Sequence, residues 1–231
     1  MYRLIAFDAY GTLFDVYSMG ELAETLFPVN GQVFAASWRD RQIEYTRLVT
    51  MSDPAPTGSR YYRSFWDVTV LALRYVCKRM GLDLKPEHEK RLMDHYAQLV
   101  CFDDAHSVLT TLRARGLKTC ILSNGNQDML TQVVEANGLA ACFDQIISVE
   151  TIRLFKTAPQ AYDLLLTTFN VAKKDILFVS SNAWDALAAQ WFGFDVFWVN
   201  LQNHPFEELG EPPLYEGKSL TDILSQITVK M

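Results

Sequence analysis

The sequence predicts an α/β fold: a doubly wound, Rossmann-like parallel sheet with an inserted helical-bundle cap. Three observations support this class. Short apolar runs alternate with segments of helical periodicity, the runs lack polar interruptions, and one long stretch near the N-terminus contains no strand signal. With 231 residues, of which 49% are hydrophobic, the chain is long enough for a core domain and a smaller inserted one.

The apolar runs are the predicted strands of the sheet. Uninterrupted runs, rather than alternating ones, are typical of strands that helices cover on both faces. They lie at residues 4–7, 117–122, 176–179 and 194–199, and a weaker fifth lies at 145–149.

Amphipathic segments connect these strands and predict helices. Asp104 is the expected N-cap of the first, and Thr157 with Gln160 resembles a capping box at the start of the third. Glycines are expected to end three of these helices or to follow them closely: Gly116, Gly138 and Gly193.

The stretch without strand signals predicts a cap inserted after the first strand. Its predicted helices lie at residues 18–27, 33–50, 61–80 and 87–99. We therefore divide the chain into an α/β core, residues 1–15 and 101–231, and a helical cap, residues 16–100. Caps of this kind close over a site and exclude water.

Composition argues against several classes of partner. The formal net charge is −6 and basic residues form no cluster, which disfavours nucleic acid and anionic membranes. No apolar run has the length of a membrane span. The four cysteines have no C-x-x-C spacing, and the N-terminus lacks a signal-peptide pattern. These features predict a cytoplasmic protein.

Polar residues follow the predicted strands where parallel sheets bind ligands. Asp8 ends the first strand, and Ser123 and Asn124 end the second. Lys156 follows the weaker strand. The strand at residues 176–179 is followed by the polar residues Ser180, Asn182 and Asp185.

This ordered set resembles the haloacid dehalogenase superfamily, whose pattern is an Asp nucleophile in a D-x-x-x-T turn, then Ser or Thr, Lys and a final acidic motif. Here these elements are Asp8 with Thr12, Ser123, Lys156 and Asp185. The phosphatases of the superfamily carry a second Asp two residues after the nucleophile, whereas this chain has Tyr10. The resemblance therefore gives little support to metal-assisted phosphoryl transfer.

Within the superfamily the sequence looks like the L-2-haloacid dehalogenases. The stretches "FDAYGTLFDV", "WRDRQIEYTRL", "ILSNG" and "FVSSNAWDA" carry this resemblance. It implies hydrolytic dehalogenation of short L-2-haloacids and haloacetates to 2-hydroxy acids, with inversion at C2 and no metal or cofactor. It also implies a homodimer formed through the cap, where apolar residues suggest a subunit face, such as Phe65, Trp66, Leu73 and Val76.

The resemblance implies roles for individual residues. Asp8 attacks C2 and forms an ester, and Asp185 with Lys156, Ser180 and Asn182 directs water to that ester. Lys156 keeps Asp8 ionised, Thr12 steadies the Asp8 turn, and Ser123 binds the substrate carboxylate. Further expected site residues are Arg39, Asn124 and the edge of Trp184 for the halide, Tyr10, Phe65 and Trp184 for the apolar pocket, and Tyr162.

The chain departs from the family at Asp40, which stands beside Arg39 where an uncharged residue is expected. Three other functions remain open. One is a phosphohydrolase of the same superfamily, and another is a hydrolase that opens a small cyclic amino acid. The third is a non-catalytic binding protein on a degenerate core, which the retention of Asp8, Lys156 and Asp185 disfavours.

Overall fold

Six parallel strands form the sheet of the computed structural model, which describes residues 2–227. In spatial order they are β3-β2-β1-β4-β5-β6, and the order reverses at β1. Their bounds are β1 Leu4–Phe7, β2 Lys118–Ser123, β3 Gln145–Ser148, β4 Ile176–Ser180, β5 Asp195–Val199 and β6 Tyr215–Gly217. Every residue of β1 and β4 is buried, as expected for central strands covered on both faces.

The predicted fold class and five of the six strands are confirmed, with ends shifted by at most one residue. Sequence analysis missed β6, which pairs with β5 at the edge of the sheet. Its three residues are Tyr215, Glu216 and Gly217, and only the glycine is buried. A strand this short and this exposed has no apolar run to mark it.

Five helices belong to the α/β part of the chain. They are α5 Ala105–Ala114, α6 Gln127–Ala136, α7 Pro159–Phe169, α8 Ala183–Phe192 and α9 Ile223–Gln226, numbered after the four helices of the cap. The three glycines expected at or near helix ends all adopt positive φ there, which costs glycine little.

Asp104 is the N-cap residue of α5 as predicted but its side chain makes no capping bond, and the predicted capping box is wrong. The Asp104 side chain accepts hydrogen bonds from the backbone and hydroxyl of Thr221 instead of capping α5. The third connecting helix begins at Pro159 with Ala158 as its N-cap, so Thr157 and Gln160 form no capping box.

Four helices form the segment predicted as the cap: α1 Ser18–Leu26, α2 Gly31–Ser52, α3 Phe65–Met80 and α4 Pro86–Ala97. α2 packs mainly against α1 and α3. The Ser64 side chain caps α3 by accepting from the Asp67 backbone at 3.1 Å, and Gly81 ends this helix with φ of +67°. None of the helices in residues 2–227 is long and apolar enough to cross a membrane.

The apolar cap residues expected to form an outer face are mostly interior. Phe65, Leu73 and Val76 are at most 1% exposed and pack within the protein, and Trp66 is half-buried. Helical periodicity identifies an apolar face but does not reveal what covers it. Exposed apolar side chains on α2 and α3 are different ones and include Leu48, Met51, Leu71 and Tyr75.

The chain leaves the sheet region and returns to it along two paired segments. Phe14 forms an antiparallel bridge with Cys101. The Asp15 N–H donates to the Val100 carbonyl at 2.8 Å, and the Phe102 N–H donates to the Leu13 carbonyl at 3.0 Å. This short ladder joins the two ends of the helical segment directly beyond the carboxyl end of β1.

Candidate active site

Asp8 lies at the carboxyl end of β1, in the tight turn that precedes the helical segment. Its carboxylate is only 7% exposed. Oδ1 accepts from Lys156 Nζ at 2.9 Å, and Oδ2 accepts from Asn182 Nδ2 at 2.8 Å and from Thr12 Oγ1 at 3.2 Å. Three donors therefore fix the plane of the carboxylate.

Lys156 bridges two carboxylates. Its Nζ lies 2.9 Å from Asp8 Oδ1 and 2.9 Å from Asp185 Oδ2, and the side chain is 1% exposed. Burial lowers the pKa of this ammonium, but the attraction of Asp185 and Asp8 outweighs burial, so the net shift of the Lys156 pKa is upward. The backbone N–H of Lys156 donates to Asn124 Oδ1 at 2.8 Å, which anchors this segment to the end of β2.

Asp185, in the first turn of α8, is fully buried and accepts three hydrogen bonds. Lys156 Nζ and Ser180 Oγ donate to Oδ2, and Tyr162 OH donates to Oδ1 at 2.7 Å. Burial raises the pKa of Asp185, although the bonds from Tyr162 and Lys156 act in the opposite direction. A carboxylate offers about four acceptor positions, so one remains for a water molecule.

Asn182 connects the nucleophile to the helical segment. Its Nδ2 also donates to the Tyr10 backbone carbonyl at 3.1 Å, and its Oδ1 accepts from Arg39 Nη2 at 3.2 Å. Arg39 Nη2 reaches the same Tyr10 carbonyl at 3.2 Å. The guanidinium on α2 is therefore held against the turn that carries Asp8.

The turn at the end of β2 is buried with its polar groups facing inward. Ser123 is 1% exposed, and its Oγ accepts a hydrogen bond from the Gly125 N–H at 3.1 Å. The backbone N–H groups of Ala9 and Tyr10, which follow the Asp8 carboxylate, have no acceptor among the described residues. Together they provide donors for a small anionic group.

An aromatic cluster covers this turn. The Tyr10 ring lies 5.8 Å from Phe65 and 5.4 Å from Tyr96, measured between centroids. Phe65 belongs with Tyr10 as expected, but the structure shows no ring contact between Trp184 and this cluster among residues 2–227. Trp184 is half-buried and lies against Arg47, whose guanidinium is 5.3 Å from the indole centroid.

A cavity of about 590 Å³ opens between α2 and the segment that follows β5. Arg39, Asp40, Asn182 and Trp184 line it. Asp40 is exposed to solvent, whereas its neighbour Arg41 forms an ion pair with Glu44 at 3.0 Å. Within residues 2–227 the extra carboxylate forms no ion pair with Arg39, although both residues line the cavity.

The expected halide partners of Arg39 are only partly brought together. Arg39 hydrogen-bonds Asn182 rather than Asn124, which instead anchors Lys156, while Trp184 shares only the cavity with Arg39. The other predicted site residues, namely Thr12, Ser123, Tyr162, Ser180, Asn182 and Asp185, all lie in the buried region around Asp8 and Lys156.

The donor set does not fit Mg²⁺, the metal of the phosphatases with this fold. Mg²⁺ prefers an octahedron of oxygen ligands, usually including carboxylates. Here the ammonium of Lys156 already bridges Asp8 and Asp185, and residue 10 contributes a phenol instead of a carboxylate. No step that we derive passes through a metal.

Sequence reasoning missed three buried residues that adjoin Arg39: Gln42, Thr69 and Tyr96. Gln42 Oε1 accepts from Arg39 Nη1 at 2.8 Å, and Gln42 Nε2 donates to Thr69 Oγ1 at 2.6 Å and to Tyr96 OH at 3.2 Å. The i, i+3 spacing of Arg39 and Gln42 on one helix was a usable signal. The other two residues come from separate helices, so spacing alone could not have found them.

Known proteins are similar to this chain over most of its length. The model of the haloacid dehalogenase-like hydrolases matches residues 2–193. The (S)-2-haloacid dehalogenase of Pseudomonas sp. (strain YL) is 39% identical over 220 residues, which cover 95% of this chain and 92% of that protein.

Solved structures agree in fold over nearly the whole chain. One L-2-haloacid dehalogenase superimposes with a TM-score of 0.93 at 48% identity and covers 97% of each chain. The L-2-haloacid dehalogenase of Xanthobacter autotrophicus, solved with chloropropionic acid covalently bound, gives a TM-score of 0.85 at 32% identity. That superposition covers 99% of this chain and 100% of the other.

Proposed function

Since the chain belongs to the haloacid dehalogenase-like hydrolases, we propose that it is an (S)-2-haloacid dehalogenase. It hydrolyses the carbon–halogen bond of short L-2-haloacids and haloacetates and releases a 2-hydroxy acid and halide. The proposal is supported by relatives named (S)-2-haloacid dehalogenase and by the Asp8–Lys156–Asp185 arrangement.

In the first step, Asp8 is the nucleophile. An oxygen of its carboxylate attacks C2 of the substrate from the side opposite the halogen, so C2 inverts as the carbon–halogen bond breaks. Lys156, Asn182 and Thr12 hold the carboxylate in place. Ser123 and the N–H groups of Ala9 and Tyr10 bind the substrate carboxylate, because they are the donors that remain beside the nucleophile.

The halide leaves with the bonding electron pair and needs no proton. Arg39 stabilises the developing negative charge, since its guanidinium is held next to the Asp8 turn by Asn182 and the Tyr10 carbonyl. Tyr10 and Phe65 form an apolar wall for the carbon chain of the substrate, as their stacked, buried rings suggest.

In the second step, water attacks the carbonyl carbon of the Asp8 ester. Asp185 takes its proton through the acceptor position that the three hydrogen bonds leave open. Ser180, Tyr162 and Lys156 position Asp185 for this role. Cleavage of the ester restores Asp8 and releases the 2-hydroxy acid.

One observation carries this proposal most directly: a single ammonium joins the nucleophile and the second carboxylate at 2.9 Å each. The test is halide release from separate (S)- and (R)-2-chloropropionate, with and without a chelator. We expect chelator-insensitive release from the S isomer and formation of R-lactate. Metal-dependent release of phosphate from an aryl phosphate, without halide release, would instead support the phosphohydrolase.

We also propose the division into an α/β core, residues 1–15 and 101–231, and a cap, residues 16–100. The pairing of Phe14 with Cys101 supports this boundary, because it lies where the helical segment begins and ends. A cytoplasmic location is proposed as well and is consistent with four free thiols.

A homodimer through the cap is the proposed assembly. Its support is an exposed apolar strip on α2 and α3, defined by Leu48, Met51, Leu71 and Tyr75. The two helices are in contact at Tyr75, whose ring lies 6.1 Å from Tyr45 and 4.2 Å from the Arg41 guanidinium. A second copy of this chain would cover this strip.

A further inference from the structure

The mechanism leaves unexplained a buried polar cluster beneath Arg39. Gln42, Thr69 and Tyr96 are respectively 1%, 0% and 3% exposed, and they come from α2, α3 and α4. Burial of a polar group costs free energy unless the group finds a hydrogen-bond partner. Here the three side chains bond to one another and, through Gln42, to Arg39.

The direction of these hydrogen bonds is determined by Thr69. Its hydroxyl donates to the Phe65 carbonyl at 2.7 Å, so toward Gln42 it can only accept. The Gln42 amide must therefore present its NH₂ group to Thr69 and its oxygen to Arg39. The 2.8 Å bond from Arg39 Nη1 to Gln42 Oε1 follows from this orientation.

The same cluster also links Arg39 to the wall of the site. The Tyr96 hydroxyl lies 3.2 Å from Gln42 Nε2, while its ring lies 5.4 Å from the Tyr10 ring and 5.9 Å from Trp38. Burial raises the pKa of Tyr96, so the phenol stays neutral and places no negative charge near the guanidinium.

Arg39 retains donors for an anion while it is held in this way. Three of its five N–H groups have acceptors among residues 2–227, namely Gln42 Oε1, the Tyr10 carbonyl and Asn182 Oδ1. All three acceptors are uncharged. The guanidinium is thus fixed in position without neutralisation of its charge.

We propose that Gln42, oriented by Thr69 and Tyr96, is a positioning residue that sets the halide affinity of Arg39. This inference rests on the proposed function, in which Arg39 stabilises the departing halide. Loss of the Gln42 oxygen frees one side of the guanidinium, and a mobile guanidinium stabilises a localised charge less well.

The test compares Gln42→Leu with Thr46→Val, a change of another buried polar residue on α2 whose hydroxyl bonds only to the Ile43 carbonyl. We expect Gln42→Leu to lower kcat/KM for (S)-2-chloropropionate about tenfold, the order expected for a hydrogen bond to a charged group. The loss should be smaller for (S)-2-bromopropionate, because bromide is the better leaving group. Thr46→Val should leave the bromide-to-chloride ratio of kcat/KM unchanged.

Tyr96→Phe is the second variant, since it keeps the ring and removes only the hydroxyl. It should shift the bromide-to-chloride ratio in the same direction. A bromide-to-chloride ratio equal to that of the wild type in both variants would overturn the inference, and so would an equal shift of this ratio in Thr46→Val. Halide release by the wild type would still support the proposed function in either case.

Bromide binding provides a readout that does not depend on turnover. Sodium bromide is titrated into the free enzyme at constant ionic strength, and tryptophan fluorescence reports binding because Trp184 lines the same cavity as Arg39. We expect the Kd for bromide to rise about tenfold in Gln42→Leu and to stay constant in Thr46→Val. An unchanged Kd in Gln42→Leu, or no bromide binding by the wild type, contradicts the inference even if the proposed reaction fails.

Discussion

At the scale of single residues, the site is organised around charge balance. One buried ammonium, Lys156, serves two carboxylates, and neutral donors add to it: Thr12 and Asn182 at Asp8, and Tyr162 and Ser180 at Asp185. The two acids differ in their surroundings and, in the proposed mechanism, in their roles. Asp8 is the proposed nucleophile, whereas Asp185 is the proposed base, and burial raises the pKa of Asp185.

Tyr162→Phe tests the effect of the Tyr162 hydrogen bond on the pKa of Asp185. The phenol donates to the ionised carboxylate and so lowers the Asp185 pKa; without this bond the pKa rises further. At any acidic pH a smaller fraction of Asp185 is then ionised, and the acidic limb of the rate of ester hydrolysis moves to higher pH. Rapid-quench measurements across the pH range would show this shift.

The substitution keeps the aromatic packing, since the Tyr162 ring lies 5.7 Å from Phe178 in an edge contact that phenylalanine can also make. A profile whose acidic limb coincides with that of the wild type would show that Asp185 is not the group that activates water.

Most site residues could be predicted from sequence because each lies at a strand end. Asp8, Ser123 and Asp185 are located by the pattern of the sheet, so one-dimensional spacing was sufficient. Gln42, Thr69 and Tyr96 could not be identified as a set, since three helices bring them together. Trp184 was expected beside Tyr10, but its indole lies against Arg47 on the cap instead.

At the scale of elements, the cap segment directly supports the chain around Lys156. The Ser59 N–H donates to the Arg153 carbonyl at 3.1 Å, and the Phe155 N–H donates to Thr50 Oγ1 at 3.0 Å. The loop after α2 therefore rests on the residues that precede the lysine. Its sequence, rich in proline and glycine, predicted a loop but gave no indication of this contact.

Gly58→Ala tests this support. Gly58 has φ of +90°, and a Cβ there would lie 2.6 Å from both the Ile152 carbonyl oxygen and Arg153 Cβ. Neither atom can move cheaply, so we expect a loss of about 2 kcal/mol in the free energy of unfolding. Because the Lys156 segment must shift as well, the rate of halide release should fall. Denaturant unfolding and a halide assay measure the two effects.

Gly81→Ala is the matched control. It also has positive φ, +67°, but a Cβ there would meet nothing within 4 Å. We expect it to cost about 1 kcal/mol for backbone strain alone and to leave activity unchanged. Equal stability losses in the two variants, with activity intact in both, would show that the loop does not position Lys156.

At the scale of the whole molecule, the doubly wound parallel sheet and the helical insertion were predictable, but the outer surface was not. Apolar periodicity indicated Phe65, Leu73 and Val76 as a possible subunit face, whereas packing among the cap helices and the core buries them. The exposed strip on α2 and α3 became visible only from the three-dimensional packing. The edge strand β6 was missed because its three residues, of which only one is buried, form no apolar run.

Leu71→Lys tests the proposed dimer. Leu71 is 44% exposed in the middle of the strip, and a lysine there would bury a charge in each copy of a symmetric interface. We expect light scattering to give the mass of two chains for the wild type and of one chain for the variant at the same concentration.

Leu214→Lys is the control, because Leu214 is 65% exposed just before β6, outside the strip. It should retain the mass of two chains. A single-chain mass for the wild type, or a dimer that survives Leu71→Lys, would contradict an interface at this strip.

The central claim is that Asp8 itself forms an ester with the substrate. A single turnover in ¹⁸O-water with enzyme in excess over (S)-2-chloropropionate tests it most directly. The account predicts that the lactate carries the unlabelled oxygen of Asp8 and that mass spectrometry finds one ¹⁸O in the peptide containing Asp8. Label in the lactate, with none in that peptide, would show that water attacks C2 directly and would contradict the account.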